Sequence, residues 1–338
     1  MTIRHRTILC LSFYFMSLSD VNSQRSRRLQ STSRPDISKR IIGGEDADPH
    51  RFPYAEVSLQ DAEGHVCGGS VVAPDLVMSA AHCAANLVGV VVGVYNLSDL
   101  SGSVQILGIE KEHIHSGYNT YTSENDVMLI KLDSNITVVD PVPVNHDSTV
   151  PIATDTLAVI GWGATKVTDR NIVYPEILQD VDLYYVPNLF CKRIKAAEGY
   201  TLGSLLSDDM MCAKDDGKDS CYGDSGGPLV KLGSSPADDV QVGIVSWGDV
   251  CGGPIPGVYS RLSHSYEWIQ KTVCSISSAP PDSFNCFTSA PTPAPEPIET
   301  PTMTPSSNTT PPVSTRSMAA QTRLGFSFVL SFLFPLLL

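Results

Sequence analysis

Residues 219–228 read DSCYGDSGGP, and they are the most informative ten residues of this 338-residue chain. Two other stretches belong with them: VMSAAHC at residues 77–83 and NDVMLIKL at residues 125–132. Together the three supply a histidine, an aspartate and a serine, in that order along the chain. A serine hydroxyl is a weak nucleophile at neutral pH and needs a neighbouring base to take its proton. A neutral imidazole can do this, so the three stretches indicate nucleophilic catalysis by a serine.

Short runs rich in Val and Ile recur between residues 41 and 274, separated by Gly, Pro, Asn and Asp. This spacing predicts an all-β sandwich or barrel rather than alternating strands and helices. The runs are Tyr54–Leu59, Ser70–Val72, Leu76–Ser79, Val88–Val94, Val104–Ile109, Val127–Leu132, Thr156–Gly161, Pro228–Lys231, Val240–Trp247 and Gly257–Arg261. One helical pattern closes the region, and Ser263 is its predicted N-cap.

The three stretches, in this order and with the surrounding cysteines, resemble the trypsin-like serine proteases of the chymotrypsin family over residues 41–274. The resemblance implies an all-β fold of two antiparallel six-stranded Greek-key barrels, with the catalytic cleft between them and a C-terminal helix. It assigns Ser225 as nucleophile, His82 as general base and Asp126 as the group that orients the imidazole. It also implies an oxyanion hole at the backbone N–H groups of Gly223 and Ser225.

The resemblance further implies a specificity pocket for a cationic side chain. In trypsin-like members an Asp six residues before the nucleophile lies at the base of that pocket, and here this residue is Asp219. Its carboxylate would pair with Arg or Lys of a substrate. Glycines at 248 and 257 leave room for a long side chain. The wall residues are Ser246, Trp247, Gly248 and Gly257. We therefore expect protein or peptide substrates cleaved after Arg or Lys.

The N-terminal junction resembles a zymogen activation site. Arg40 precedes Ile41, and in the family a cut at this point frees an Ile or Val ammonium group. That ammonium enters the protein and pairs with the Asp just before the nucleophile, here Asp224. A buried carboxylate without a partner is costly, so the pairing can act as a switch.

Nine cysteines are present, and no two are spaced as CxxC, which disfavours zinc ribbons and thioredoxin-type motifs. Cys10 falls in the predicted signal peptide, and the remaining eight suit four disulfides in an oxidising compartment. The resemblance implies the pairs Cys67–Cys83, Cys191–Cys212 and Cys221–Cys251. Cys274 and Cys286 remain; we expect them to pair outside the core, with a free or intermolecular thiol as the alternative.

The charge is unevenly distributed. The formal net charge is −13, but residues 1–40 carry +6 and residues 41–274 carry −18. A region this acidic repels phosphate backbones, which excludes nucleic acid as a partner. We expect a monomer that binds protein or peptide substrates and protein protease inhibitors. We predict no cofactor and no metal. Calcium is not expected because the loop after His82 lacks the Glu ligands of the family's calcium loop.

Both ends of the chain are predicted to be targeting segments. Residues 1–23 have the basic and apolar parts of a signal peptide, with a membrane anchor or buried strand as the alternative. Residues 24–40 are the pro-segment and 41–274 the protease domain. Residues 275–317 are predicted to form a Pro/Thr/Ser-rich stalk, and the apolar tail, 318–338, resembles a GPI-anchor signal. A short tail anchor or a non-functional tail are the alternatives.

The predicted location is therefore extracellular, either secreted or held at the cell surface. Asn96 and Asn135 lie in Asn-x-Ser/Thr sequons and are glycan candidates. A rival hypothesis is a catalytically weak homologue that acts as a binding module. The complete Ser225–His82–Asp126 set and Asp219 argue against it.

Overall fold

A computed structural model describes residues 42–286, except residues 85, 169, 196–198 and 200. The predicted signal peptide, the pro-segment with Arg40, and Ile41 lie outside the described residues, as do residues 287–338, which hold most of the predicted stalk and the apolar tail. Seventeen strands make up most of the regular structure of the described part. They are β1 (Glu45–Asp46), β2 (Val57–Asp61), β3 (Gly64–Gly68), β4 (Ser70–Ala73), β5 (Leu76–Ser79), β6 (Gly89–Val92), β7 (Gln105–Leu107), β8 (Ile109–Ile114), β9 (Met128–Leu132), β10 (Thr156–Gly161), β11 (Lys166–Thr168), β12 (Asn171–Val173), β13 (Gln179–Val186), β14 (Met210–Lys214), β15 (Pro228–Lys231), β16 (Val240–Trp247) and β17 (Gly257–Arg261).

The C-terminal half forms a closed six-stranded antiparallel barrel. Its strand order is β13-β10-β15-β16-β17-β14, and β14 pairs again with β13 to close the sheet. Side chains alternate across each strand. In β10, Leu157 and Val159 face the interior of this barrel, whereas Ala158 and Ile160 belong to the core cluster of the N-terminal half. Because both faces are covered, the strand is buried from Leu157 onward.

The N-terminal half contains two four-stranded sheets, β3-β2-β6-β7 and β4-β5-β9-β8. Only Gly69 separates β3 from β4, and only Gly108 separates β7 from β8. The chain therefore follows six strand paths, two of which pass from one sheet to the other. Together with the closed C-terminal barrel, this confirms the predicted two-barrel, all-β fold.

Two α-helices occur among the described residues: α1 (Asn188–Cys191) and α2 (Leu262–Ile276). The predicted cap of α2 is wrong, because Arg261 is the N-cap and Ser263 lies inside the first turn. The run Tyr54–Leu59 is also not a continuous strand, since it begins in a 3-10 turn, Pro53–Ala55. No helix of the described part is long and apolar enough to cross a membrane.

Four disulfides form, with the pairings Cys67–Cys83, Cys191–Cys212, Cys221–Cys251 and Cys274–Cys286. The last one ties the end of α2 to the segment that follows it. That segment folds back on the helix: the Phe284 ring is buried and stacks on Tyr266, and the Gln270 amide donates to the Phe284 carbonyl at 2.6 Å.

Candidate active site

His82 and Asp126 meet because the strands beside them are paired. β5 ends at Ser79 opposite the first residue of β9, Met128, so the turn after β5 lies next to the turn before β9. His82 Nδ1 is 2.8 Å from Asp126 Oδ2, and the His82 backbone N–H donates to Asp126 Oδ1 at 2.9 Å. The carboxylate thus holds both the main chain and the ring of the histidine.

Asp126 is fully buried and makes two further bonds to the C-terminal barrel. The Ser246 hydroxyl donates to Asp126 Oδ2 at 2.5 Å, and the Ser260 hydroxyl donates to the Asp126 main-chain carbonyl at 2.7 Å. Ser246 was predicted only as a pocket wall, and Ser260 carried no signal in the sequence. The aspartate on one barrel is therefore fixed by hydroxyls on the other.

Ser225 lies in a tight loop just before β15. Its carbonyl accepts the Gly68 N–H at 2.8 Å, and the N–H of the next residue, Gly226, donates to Val245 at 2.9 Å. Gly226 has φ +78, and a Cβ there would lie 2.1 Å from the hydroxyl oxygen of Ser79. Only glycine allows this close approach, which brings the serine loop against the end of β5, just before His82.

Gly223, in the C-terminal half, is also contacted by a histidine of the N-terminal half. Gly223 has φ +98, and its carbonyl lies 3.1 Å from His65 Nε2. A carbonyl only accepts, so Nε2 carries the proton, and the Ser58 hydroxyl, 2.7 Å away, faces Nδ1. Burial lowers the pKa of His65, which favours the neutral ring that this arrangement needs. His65 was not singled out in the sequence.

Asp219 lies in a cavity of about 240 Å³ that Ser225 also lines. The carboxylate accepts the Gly252 N–H at 3.0 Å, and burial raises its pKa to about 6. Three of the predicted walls line this cavity: Ser246, Trp247 and Gly248. The fourth, Gly257, packs on the carboxylate itself, since a Cβ there would be 3.1 Å from Asp219 Oδ1.

Asp224, the residue before Ser225, is fully buried. Its two oxygens accept the N–H groups of Gly163 and Cys221, each at 2.8 Å. Burial raises the pKa of this carboxyl to about 7. Within residues 42–286, outside the gaps, no Lys, Arg or His forms an ion pair with it.

A second cavity, of about 540 Å³, adjoins the first at Trp247, which lines both. One wall is the turn before Asp126, residues 121–124, and the other is residues 204–207 from the disulfide loop 191–212. The long stretch between Cys191 and Cys212 therefore shapes the region next to the Asp219 pocket.

His82 also lies close to two sulfur atoms. Cys67, His82 and Cys83 present their ligand atoms within 4.8 Å of one another. The two sulfurs are bonded to each other in a disulfide, however, so neither is a thiolate that could bind a metal.

Comparison with known proteins gives one consistent family. A family model described as Trypsin matches residues 41–269 of the chain. The chain belongs to the trypsin family. Trypsin V-B of Rattus norvegicus is 36% identical over 249 residues, which are 71% of this chain and 92% of the relative. Anionic trypsin of Canis lupus familiaris is 36% identical, covering 72% and 93%, and Kallikrein-5 of Homo sapiens is 37% identical, covering 70% and 78%.

As a member of the trypsin family, this protein is a serine endopeptidase, a hydrolase of protein or peptide substrates. Of its predicted site residues, the structure brings His82 and Asp126 into direct contact and places Asp219, Ser225 and Ser246 around one cavity. Arg40 and Ile41 lie outside the described residues.

Proposed function

We propose that this chain is a secreted or cell-surface endopeptidase that cleaves after Arg or Lys and is activated by a cut after Arg40. The observation that carries the specificity is the buried carboxylate of Asp219 in the cavity beside Ser225. Burial makes an unpaired charge unfavourable. A guanidinium or ammonium group that enters the cavity would pair with the negative charge of Asp219. An apolar side chain would leave it uncompensated.

The chemistry follows from the orientation of His82. Its Nδ1–H donates to Asp126, which leaves the lone pair of Nε2 as the base. Nε2 takes the proton of Ser225 Oγ as that oxygen bonds to the scissile carbonyl carbon. The N–H groups of Gly223 and Ser225 stabilise the resulting oxyanion.

The C–N bond then breaks, and the imidazolium gives its proton to the leaving amine. Water attacks the acyl-enzyme, with His82 again as base, and releases the acid product and Ser225. Asp126 stabilises the imidazolium at both stages. No step needs a cofactor or a metal.

The contacts of Ile42 support activation by the new N-terminus. The Ile42 carbonyl accepts the Asp219 N–H at 3.0 Å, and the next residue, Gly43, packs against Gly217. The chain therefore starts its described course beside the 217–224 segment that carries Asp224. An ammonium at Ile41 would supply the cation that the buried Asp224 lacks.

The glycan candidates, the disulfides and the C-terminal tail bear on the proposed extracellular location. Asn135 is exposed and Asn96 partly exposed, which suits both as glycan acceptors outside the cell. Four disulfides fit the same oxidising environment. A GPI anchor in place of the apolar C-terminal tail would hold the enzyme at the surface, and release by phosphatidylinositol-specific phospholipase C tests this part separately.

The deciding experiment measures hydrolysis of fluorogenic peptides ending in Arg, Lys, Phe or Ala by protein cut after Arg40. We expect kcat/KM for Arg and Lys to exceed that for Phe and Ala by roughly 10³-fold or more. The matched control, Ser225→Ala, should lose roughly 10⁶-fold in kcat. Equal rates for all four peptides would overturn the specificity, and turnover that survives in the Ser225 variant would overturn the mechanism.

A further inference from the structure

One buried carboxylate outside the predicted site contacts the residue next to Asp126. Asp209 lies just before β14 and is only 5% exposed. Its Oδ2 accepts the backbone N–H of Asn125 at 2.5 Å, and its Oδ1 accepts the hydroxyl of Ser207. Asp209 thus joins the disulfide loop 191–212 to the turn that carries Asp126.

That turn has a backbone conformation that needs support. Asn125 has φ +55 and Ser123 has φ +57, both in the left-handed region. Non-glycine residues adopt this region at a cost, and such conformations persist where surrounding contacts hold them. For Asn125, the contact to its N–H comes from Asp209, 84 residues away in sequence.

Asp209 is itself fixed on its other side. Its main-chain carbonyl accepts the N–H of Arg261 at 2.7 Å, and the neighbouring Ser260 donates its hydroxyl to the Asp126 carbonyl, also at 2.7 Å. Two neighbouring hydrogen bonds therefore connect this region to residues 125–126: Asp209 accepts from Asn125, and Ser260 donates to Asp126. Both bonds hold the backbone of residues 125–126.

We infer that Asp209 is a positioning residue for the catalytic pair: by holding Asn125, it keeps Asp126 within hydrogen-bond distance of His82. Asp209 does not line the Asp219 cavity, and its carboxylate reaches the catalytic pair through the Asn125 N–H. The inference rests on the proposed roles of His82 and Asp126. It concerns the hydrogen bond that the carboxylate accepts, not its charge.

The test compares three variants of the full-length chain, each cut after Arg40. Asp209→Ala leaves the Asn125 N–H without its partner and should lower kcat per active site roughly 10-fold. Asp209→Asn keeps an oxygen that can accept this N–H, so it should restore kcat to within about twofold of the parent. Asp208→Asn makes the same charge change on the exposed neighbour, 87% exposed at its side chain, and should match the parent.

Two readouts separate positioning from general damage. Active sites are counted with a covalent serine-hydrolase probe, and pocket integrity is measured as the inhibition constant of an aryl-amidine that pairs with Asp219. Positioning predicts a lower kcat with an unchanged inhibition constant. If Asp209→Ala does not fold, Asp209→Ser, whose hydroxyl is too short to reach the Asn125 N–H, takes its place with the same expected loss.

Three outcomes overturn the inference: a kcat per site unchanged by Asp209→Ala or Asp209→Ser, an Asp209→Asn variant as slow as Asp209→Ala, or an equal loss in Asp208→Asn. An inactive parent protein would instead refute the proposed function, and the two failures are therefore distinguishable.

Discussion

The aspartates of the active site fall into two groups that differ in how their charges are balanced. Asp126 accepts hydrogen bonds from His82 and Ser246 at its carboxylate and from Ser260 at its carbonyl. Asp219 and Asp224 are also buried, but burial raises their pKa values to about 6 and about 7. The first group has its partners once the chain has folded. Under the proposed function these two carboxylates receive cations, Asp219 from a substrate and Asp224 from a new N-terminus.

Among these aspartates, the largest effect is expected at Asp224. Asp224→Asn removes the partner of the ammonium that cleavage after Arg40 creates, so the loop with Gly223 and Ser225 should stay poorly formed. We expect kcat/KM of the cut variant to fall by roughly 10²–10³-fold, the size of an oxyanion-hole defect. The measurement is peptide hydrolysis after N-terminal sequencing has verified the cut.

The matched control for this experiment is Arg40→Gln, which cannot be cut at the junction and should be as inactive as cut Asp224→Asn. A cut Asp224→Asn protein with near-parental activity would show that the carboxylate is not the switch. Full activity of uncut Arg40→Gln would count against activation at this junction altogether.

The sequence reveals only part of the difference between Asp126 and the pair Asp219 and Asp224. The resemblance carried by the motif around Ser225 implies the roles of Asp219 and Asp224, which belong to that same motif. The strands Leu76–Ser79 and Thr156–Gly161 have their predicted bounds, since each is a largely buried apolar run that follows a turn. Strand β13, Gln179–Val186, was missed because acidic and aromatic residues interrupt its apolar pattern.

The partners that position the site could not be predicted from local pattern. Ser260 and Asp126 are 134 residues apart, and His65 and Gly223 are 158 residues apart. A lone serine or histidine has many structural uses, so its role appears only when the two barrels are packed together. The same holds for Asp209, which looks like an ordinary loop acid in the sequence.

A moderate effect is expected from the titration of Asp219. With a pKa of about 6 in the empty pocket, the carboxyl is mostly ionised at pH 7 and mostly protonated at pH 5. A cationic inhibitor needs the ionised form, so the inhibition constant of an aryl-amidine should rise about tenfold between pH 7 and pH 5. A neutral analogue of the same shape serves as the control and should show no such change. A flat amidine profile down to pH 5 would mean that Asp219 ionises at an ordinary pKa.

The smallest effect concerns Asp180, a carboxylate outside the predicted site whose pKa is also raised. Asp180 lies in β13 directly opposite Glu45 of β1, and like charges at opposed positions destabilise a sheet. Burial, followed by repulsion from Asp182, Glu45 and Asp48, raises the pKa of Asp180 to about 6. Its ionisation therefore costs stability.

The sign of the pH effect follows from this raised pKa. The unfolded chain releases the proton near pH ~3.9, but the folded protein keeps it to about pH 6, so stability falls as pH rises through that window. Asp180→Asn should remove this loss and raise the free energy of unfolding at pH 7 by about 1–2 kcal/mol. Denaturant melts at pH 4 and pH 7 measure the difference, with the exposed Asp140→Asn as the control. Equal gains in both variants would point to net charge rather than to the site. A gain confined to Asp180→Asn, with peptide hydrolysis unchanged, would show that the raised pKa of Asp180 reflects a cost to stability and not a role in hydrolysis, in contrast to Asp219.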